Sequence, residues 1–231
     1  MKSLRERKYL VLLLLMVLLL LAQSLSPQFL GELVLFDILL TLLVLGVFLI
    51  VFERRRERLA ALALALAGLA ANWAGYALTG EPRMVGLVLR HCLVAAFLSF
   101  GVAVILRGLF QQRAIHLDHV VGAFCGYLIA GVVWGNLYLL AEDVFPDSYD
   151  LKPAIAWQLR EEHTRRFLFN YFSFVTLTTL GYGDITPVRP FASALVVLEA
   201  VFGQFYVAVV VAQLVGLSLA RALQKEDSRS A

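Results

Sequence analysis

Apolar residues along this chain fall in long unbroken blocks, without the helical or alternating rhythm of a half-buried element. Six blocks lie at about 6–25, 33–52, 59–78, 84–106, 119–141 and 190–220. Each is close to the roughly 20 residues that cross a hydrocarbon core as a helix. A seventh, at about 166–178, is too short to span and runs directly into Gly181-Tyr182-Gly183. A short helix that enters the membrane and returns fits such a segment. The pattern predicts an all-α membrane protein of six transmembrane helices, with a re-entrant helix and loop between the fifth and sixth.

Composition agrees: 61% of the 231 residues are hydrophobic, well above a soluble domain, and the mean hydropathy is +0.81. The formal net charge is +3, and its placement matters more than its size. Lys2, Arg5, Arg7 and Lys8 precede the first block, and Arg54, Arg55, Arg56 and Arg58 separate the second from the third. Arg107 and Arg113 follow the fourth, and Arg221, Lys225 and Arg229 follow the sixth, while the alternate connections around 26–32 and 79–83 carry few cations. The positive-inside rule then puts both termini in the cytoplasm, across a cell (inner) membrane. Every basic cluster flanks a span, so the expected partner is the lipid bilayer and not a nucleic acid. The basic start followed by Tyr9–Ala22 also resembles a secretory signal peptide, but Ala22-Gln23-Ser24-Leu25-Ser26 matches a cleavage site only loosely. A retained span is expected. Cys92 and Cys125 lie inside apolar blocks and read as small buried hydrophobes.

Residues 1–106 form a four-helix, voltage-sensor-like membrane domain, and 107–118 an amphipathic linker. Residues 119–220 form a second unit: outer helix 119–141, turret 142–165, short helix 166–178, loop 179–184 and inner helix 190–220. The turret is charged and broken by Pro146 and Pro153, and reads as a solvated loop without an assigned role. Residues 221–231 form a short polar tail, so no cytoplasmic ligand-binding module is expected.

The specific chemistry lies in Thr178-Thr179-Leu180-Gly181-Tyr182-Gly183-Asp184. A potassium ion leaving water needs oxygens arranged much like its hydration shell, and successive backbone carbonyls aimed at one axis provide them. An ordinary strand alternates its carbonyls, so some residues must take left-handed dihedrals, which glycine does without steric penalty. Gly181 and Gly183 therefore have a mechanical reason to flank Tyr182. Leu180 and Tyr182 are expected to point away from the axis and pack on the short helix. Thr179 can add its hydroxyl below the lowest carbonyls, and the helix ending near Thr178 turns its partly negative end toward a cation. One strand supplies one side of a cage, so four copies about an axis are expected, a cyclic homotetramer.

The run Thr176-Leu177-Thr178-Thr179-Leu180-Gly181-Tyr182-Gly183-Asp184 resembles the signature of the potassium-channel superfamily, most closely the bacterial two-helix ion-channel family, over about 119–220. The resemblance implies a selectivity filter with K+ sites at the carbonyls of Thr179, Leu180, Gly181 and Tyr182 and at the Thr179 hydroxyl. It implies passive conduction of dehydrated K+, with no cofactor. Filter support then falls to Thr178, Asp184, Val175, Tyr171 and Phe172. Val175 stands where some bacterial channels carry a glutamate that bonds the post-filter aspartate, so that bond is expected to be absent. Tyr171 and Phe172 replace the paired tryptophans of the short helix, an altered aromatic cuff.

In the last block Gly203 lies nineteen residues after Asp184, where the resemblance places a gating hinge. Close helix packing would also explain a glycine there. Glu199 is costly inside a span unless paired or wet. It either buttresses the filter from behind or lines the cavity. The fourth block has Arg90 and His91 as its only basic residues, bracketed by Arg83 and Arg107, which is no ladder of arginines at every third position. Strong voltage gating is therefore not expected, and Arg90 is assigned a fixed partner, with Asp37 the candidate.

Alternatives are a voltage-gated potassium channel, a weakly selective cation channel, and a membrane scaffold with a vestigial pore. The missing ladder argues against the first and the intact filter run against the others. An enzyme is not expected: no nucleophile–base pair or metal-ligand spacing occurs, and His91, His116, His119 and His163 are dispersed as interfacial or surface residues. The gating stimulus is not encoded in any of these motifs.

Overall fold

The structure, a computed structural model, describes residues 8–24, 32–74, 81–111, 117–156, 159 and 162–230. Side chains are described for 8–21, 38–71, 84–111, 117–156, 159, 164–216 and 218–219. Seven helices and two short strands are described: α1 (Lys8–Ser24), α2 (Glu32–Val51), α3 (Arg55–Ala74), α4 (Glu81–Gln111), α5 (Leu117–Val144), β1 (Tyr149–Leu151), α6 (Glu162–Leu177), β2 (Ile185–Pro187) and α7 (Pro190–Ser230). Proline marks several boundaries. Pro190 opens α7, where its fixed φ suits a first helical position and its missing N–H is not needed, and Pro146 follows the end of α5.

Among the described residues three helices are long and apolar enough to cross a membrane: Met84–Gln111, Leu117–Val144 and Pro190–Gly216. The described apolar parts of α1 and α2, Lys8–Leu21 and Ile38–Val51, are shorter. Several boundaries differ from expectation. Helix α4 does not stop at Leu106 but continues through Arg107 to Gln111, so the first part of the expected linker is its last turn. Nothing in Arg107-Gly108-Leu109-Phe110 breaks a helix sharply enough to end it. Linker residues 112–116 lie outside the described residues. The short helix α6 starts earlier than expected, at Glu162, and α7 runs on to Ser230.

Helix α5 sits at the centre, packed against α1, α4, α6 and α7. Its glycines make this possible, since small residues let helix backbones approach. A Cβ at Gly122 would meet the Tyr9 ring of α1 at 3.0 Å, and one at Gly126 would lie 2.5 Å from the Tyr206 hydroxyl of α7. At Gly131 it would meet Phe174, and at Gly135 the Asn170 backbone of α6 at 2.9 Å. Polar contacts fix α1 in the same place. The Tyr9 N–H donates to Asp118 at 3.2 Å, and the Cys125 thiol donates to the Tyr9 carbonyl at 3.4 Å. Cys125 is buried as expected, whereas Cys92 is exposed.

Two apolar cores result. One runs through α1–α5 and includes Leu43, Phe52, Phe97, Leu98 and Ile129. The other gathers Tyr138, Tyr149, Phe169, Phe172 and Ile185 around the outer half of α6. The turret is not merely a solvated loop: β1 pairs antiparallel with β2, Tyr149 opposite Pro187, Asp150 opposite Thr186 and Leu151 opposite Ile185. Three residues per strand are too few to show an alternating pattern in sequence.

Candidate functional site

Helix α6 ends on a left-handed residue that ties its last turn to the loop. Thr179 has φ 59°, its N–H donates to Thr176 O at 2.9 Å, and the Leu180 N–H donates to Val175 O at 2.9 Å. This pair of bonds is a Schellman cap, whose left-handed position is most often glycine. A β-branched residue there is strained by about 1–3 kcal/mol and persists only where surroundings over-determine it. Gly181 at 57° and Gly183 at 64° repeat the conformation at every second residue. Sequence reasoning assigned it to the two glycines and missed Thr179, because threonine normally avoids positive φ.

Thr178 Oγ1 donates to Phe174 O at 2.6 Å and Thr179 Oγ1 to Thr178 O at 2.7 Å. Both residues are exposed in the single chain, as are Gly181 and Gly183, around which a Cβ would meet nothing within 4 Å. Leu180 and Tyr182 are 55% and 60% exposed. Tyr182 nevertheless lies within electrostatic reach of Tyr171 on the short helix.

Behind the loop, α5 and α7 hold the end of α6. The Tyr127 hydroxyl donates to Leu177 O at 3.0 Å. Gly203 approaches that carbonyl so closely that a Cβ would collide with it. Close packing therefore accounts for this glycine, and α7 continues through it without interruption. One turn earlier, Glu199 is fully buried. Tyr138 donates to its Oε2, and Ser173 Oγ lies 2.5 Å from its Oε1 and 2.7 Å from Gly131 O. Glu199 thus sits behind the loop rather than lining open space. Tyr127 and Tyr138 were not singled out from sequence; a hydroxyl among apolar residues was their only signal.

The outer end of the loop is anchored by Asp184. Its Oδ2 accepts from Tyr171 at 2.6 Å, its Oδ1 from the Ile185 N–H at 3.1 Å, and its carbonyl from the Lys152 N–H at 3.0 Å. Val175 supplies no side-chain bond to it, but its carbonyl caps the helix. Tyr171 makes the link instead, so the aspartate is tethered after all. Phe172 turns the other way: it is 5% exposed and packs against Tyr138 and Tyr149, so it belongs to the second core and not to a cuff around the loop. On a helix, neighbours in sequence face about 100° apart, so the two aromatics cannot share one task.

Arg90 and His91 are buried, which corrects the surface reading of His91. The Asn136 amide nitrogen donates to His91 O at 2.8 Å, so its Oδ1 faces His91 Nδ1 at 2.6 Å. Nδ1 then carries the proton, and Nε2 can accept from Arg90 Nη2 at 3.0 Å. Asp143, 3.3 Å from the same ring nitrogen, also pairs with Arg165 at the start of α6. The expected partner Asp37 lies outside the residues with described side chains.

Residues 123–217 match a family model described as an ion channel, a segment that takes in most of α5, all of α6, the loop and α7 as far as Leu217. No curated protein matches the chain, and no solved structure matches it. With membrane-length helices on both sides of the loop, the matched segment supports an ion channel in a membrane protein, not an enzyme.

Proposed function

We propose that the chain is one subunit of a potassium-selective channel that conducts dehydrated K+ passively through Thr179–Gly183. The alternation of left-handed φ at Thr179, Gly181 and Gly183 carries this reading. It lines up the carbonyls of Thr179, Leu180, Gly181 and Tyr182 as replacements for ion hydration.

A homotetramer follows from the same geometry. A single strand offers oxygens on one side only, and its outward side chains lack cover. So does one face of α7, where Val197, Leu198, Val201 and Phe205 are 49–66% exposed. A second copy packed on that face covers both the apolar stripe and the side chains of Leu180 and Tyr182. Helices α1–α3 add to the membrane unit to give six spans with both termini cytoplasmic in the inner membrane. Helix α4 has no arginine ladder, so steep voltage gating is not part of the proposal.

Reconstitution into liposomes with parallel K+ and Na+ flux assays tests the reading. Uptake strongly favouring K+ is expected. Equal fluxes of the two ions, or none at any voltage, would sink it.

A further inference from the structure

Glu199 presents a proton-counting problem that the geometry answers. Its side chain is fully buried among three elements, and three short oxygen–oxygen contacts run through it in a line. Tyr138 Oη of α5 meets Oε2, Oε1 meets Ser173 Oγ of α6, and the same Oγ meets Gly131 O of α5. Each contact needs one proton between its oxygens, since two facing lone pairs repel. Tyr138 supplies the first. Ser173 has one hydroxyl proton and two acceptors within reach, so it supplies only one of the other two. If that proton goes to Gly131 O, the Glu199–Ser173 contact has none; if it goes to Glu199, the contact with Gly131 has none.

A proton on Oε1 closes the set. Glu199 then donates to Ser173, Ser173 to Gly131 O, and Tyr138 to Oε2, while Thr176 of α6 hydrogen-bonds the same phenol. The titratable groups that face Glu199 are Tyr127 and Tyr138 of α5 and Tyr149 of β1, with only hydroxyls from α6. Among the described residues no Lys, Arg, His or second carboxylate faces it. A buried carboxylate without a cationic partner is strongly disfavoured.

We propose that Glu199 stands as a neutral carboxylic acid and serves as a positioning residue for the filter. It clamps α5, α6 and α7 by donating one hydrogen bond and accepting another, and it contributes no negative potential to the permeation path. The clamp sits one turn from Gly203, where α7 presses on the end of the short helix, so it fixes the direction from which the filter strand departs. The proposal rests on the conduction reading above, but its chemical core, the bound proton, does not depend on it.

Glutamine copies the neutral acid: its NH2 can donate to Ser173 and its carbonyl can accept from Tyr138. Leucine fills the volume and can do neither. The test compares wild type, Glu199→Gln and Glu199→Leu in liposomes for K+ and Na+ flux, with infrared spectra of the same samples. Glu199→Gln should hold K+ flux and selectivity near wild type. Glu199→Leu should lower K+-selective flux by about tenfold or more, as buried hydroxyls lose their partners. Should Glu199→Leu fail to assemble, Ser173→Ala and Tyr138→Phe each remove one of the two hydroxyl contacts to Glu199 and should each weaken selectivity. The infrared difference between wild type and Glu199→Gln should contain a protonated-carboxyl C=O stretch. Absence of that band overturns the proposal even where conduction is intact. So does a Glu199→Gln variant as impaired as Glu199→Leu, or a Glu199→Leu variant that matches wild type. Wild type without K+-selective flux refutes the conduction reading instead, and the infrared band still decides whether the acid is neutral.

Discussion

Replacing Gly203 with alanine separates a hinge from a packing contact by the sign of one stability change. Alanine favours a helix interior over glycine by about 1 kcal/mol, so a glycine kept only for bending should yield a more stable protein when replaced. The structure predicts the reverse. A Cβ at 203 would collide with Leu177 O and lie 3.1 Å from Leu177 Cδ1. That carbonyl cannot easily retreat, because Tyr127 holds it from α5 and the Schellman cap fixes the next residues. Overpacking a tight contact costs about 1–3 kcal/mol. Taken against the propensity gain, the net loss is about 1 kcal/mol, or about 2–4 °C in melting temperature for a chain of this size. Gly108 of α4 provides the control, since a Cβ there meets nothing within 4 Å. Thermal unfolding in detergent of Gly203→Ala, Gly108→Ala and wild type reads the difference. Gly108→Ala should match or exceed wild type and Gly203→Ala should fall below it. If Gly203→Ala is stabilised as much as the control, the packing account of this glycine is refuted.

Tyr171→Phe removes the phenol that holds Asp184 and should weaken the outer anchor by about 1.5–3 kcal/mol, the range for hydrogen bonds to charged groups. It should appear as increased Na+ permeation or faster loss of current, and unchanged selectivity would count against the anchor. Gly181→Ala forces a side chain onto φ 57° and should abolish selective K+ flux while leaving the protein in the membrane, as read by flux and by membrane fractionation. Gly135→Ala pushes α5 from the Asn170 backbone 2.9 Å away and should lower melting temperature by a few degrees, about 1–3 kcal/mol; a neutral result would mean the two helices can separate freely.

The parts of the fold legible in sequence were those written in single residues or short runs. Unbroken apolar blocks announced α4, α5 and α7, and a block too short to span announced α6. Gly181 and Gly183 announced their own dihedrals, because freedom from a Cβ is a local property. The capping role of Thr179 was not legible: its left-handed φ opposes its own preference and is imposed by bonds to Val175 and Thr176. Tyr171 as the aspartate's partner was hidden in the same way, since a helix aromatic announces bulk and not the direction of its hydroxyl.

By itself, then, the sequence determined the membrane class, the short helix and the position of the loop with the left-handed glycines. Hydropathy and backbone freedom are summed along the chain and need no partner. Tertiary structure alone decided that Glu199 meets Tyr138 and Ser173, residues 61 and 26 positions away, and that Lys152 and β1 brace the loop's exit. It also decided that Gly203 faces a carbonyl held by Tyr127 rather than empty space. Such contacts depend on how closely α5 lets its neighbours approach, which is settled by glycines spread along one helix and by the side chains that fill the room they leave.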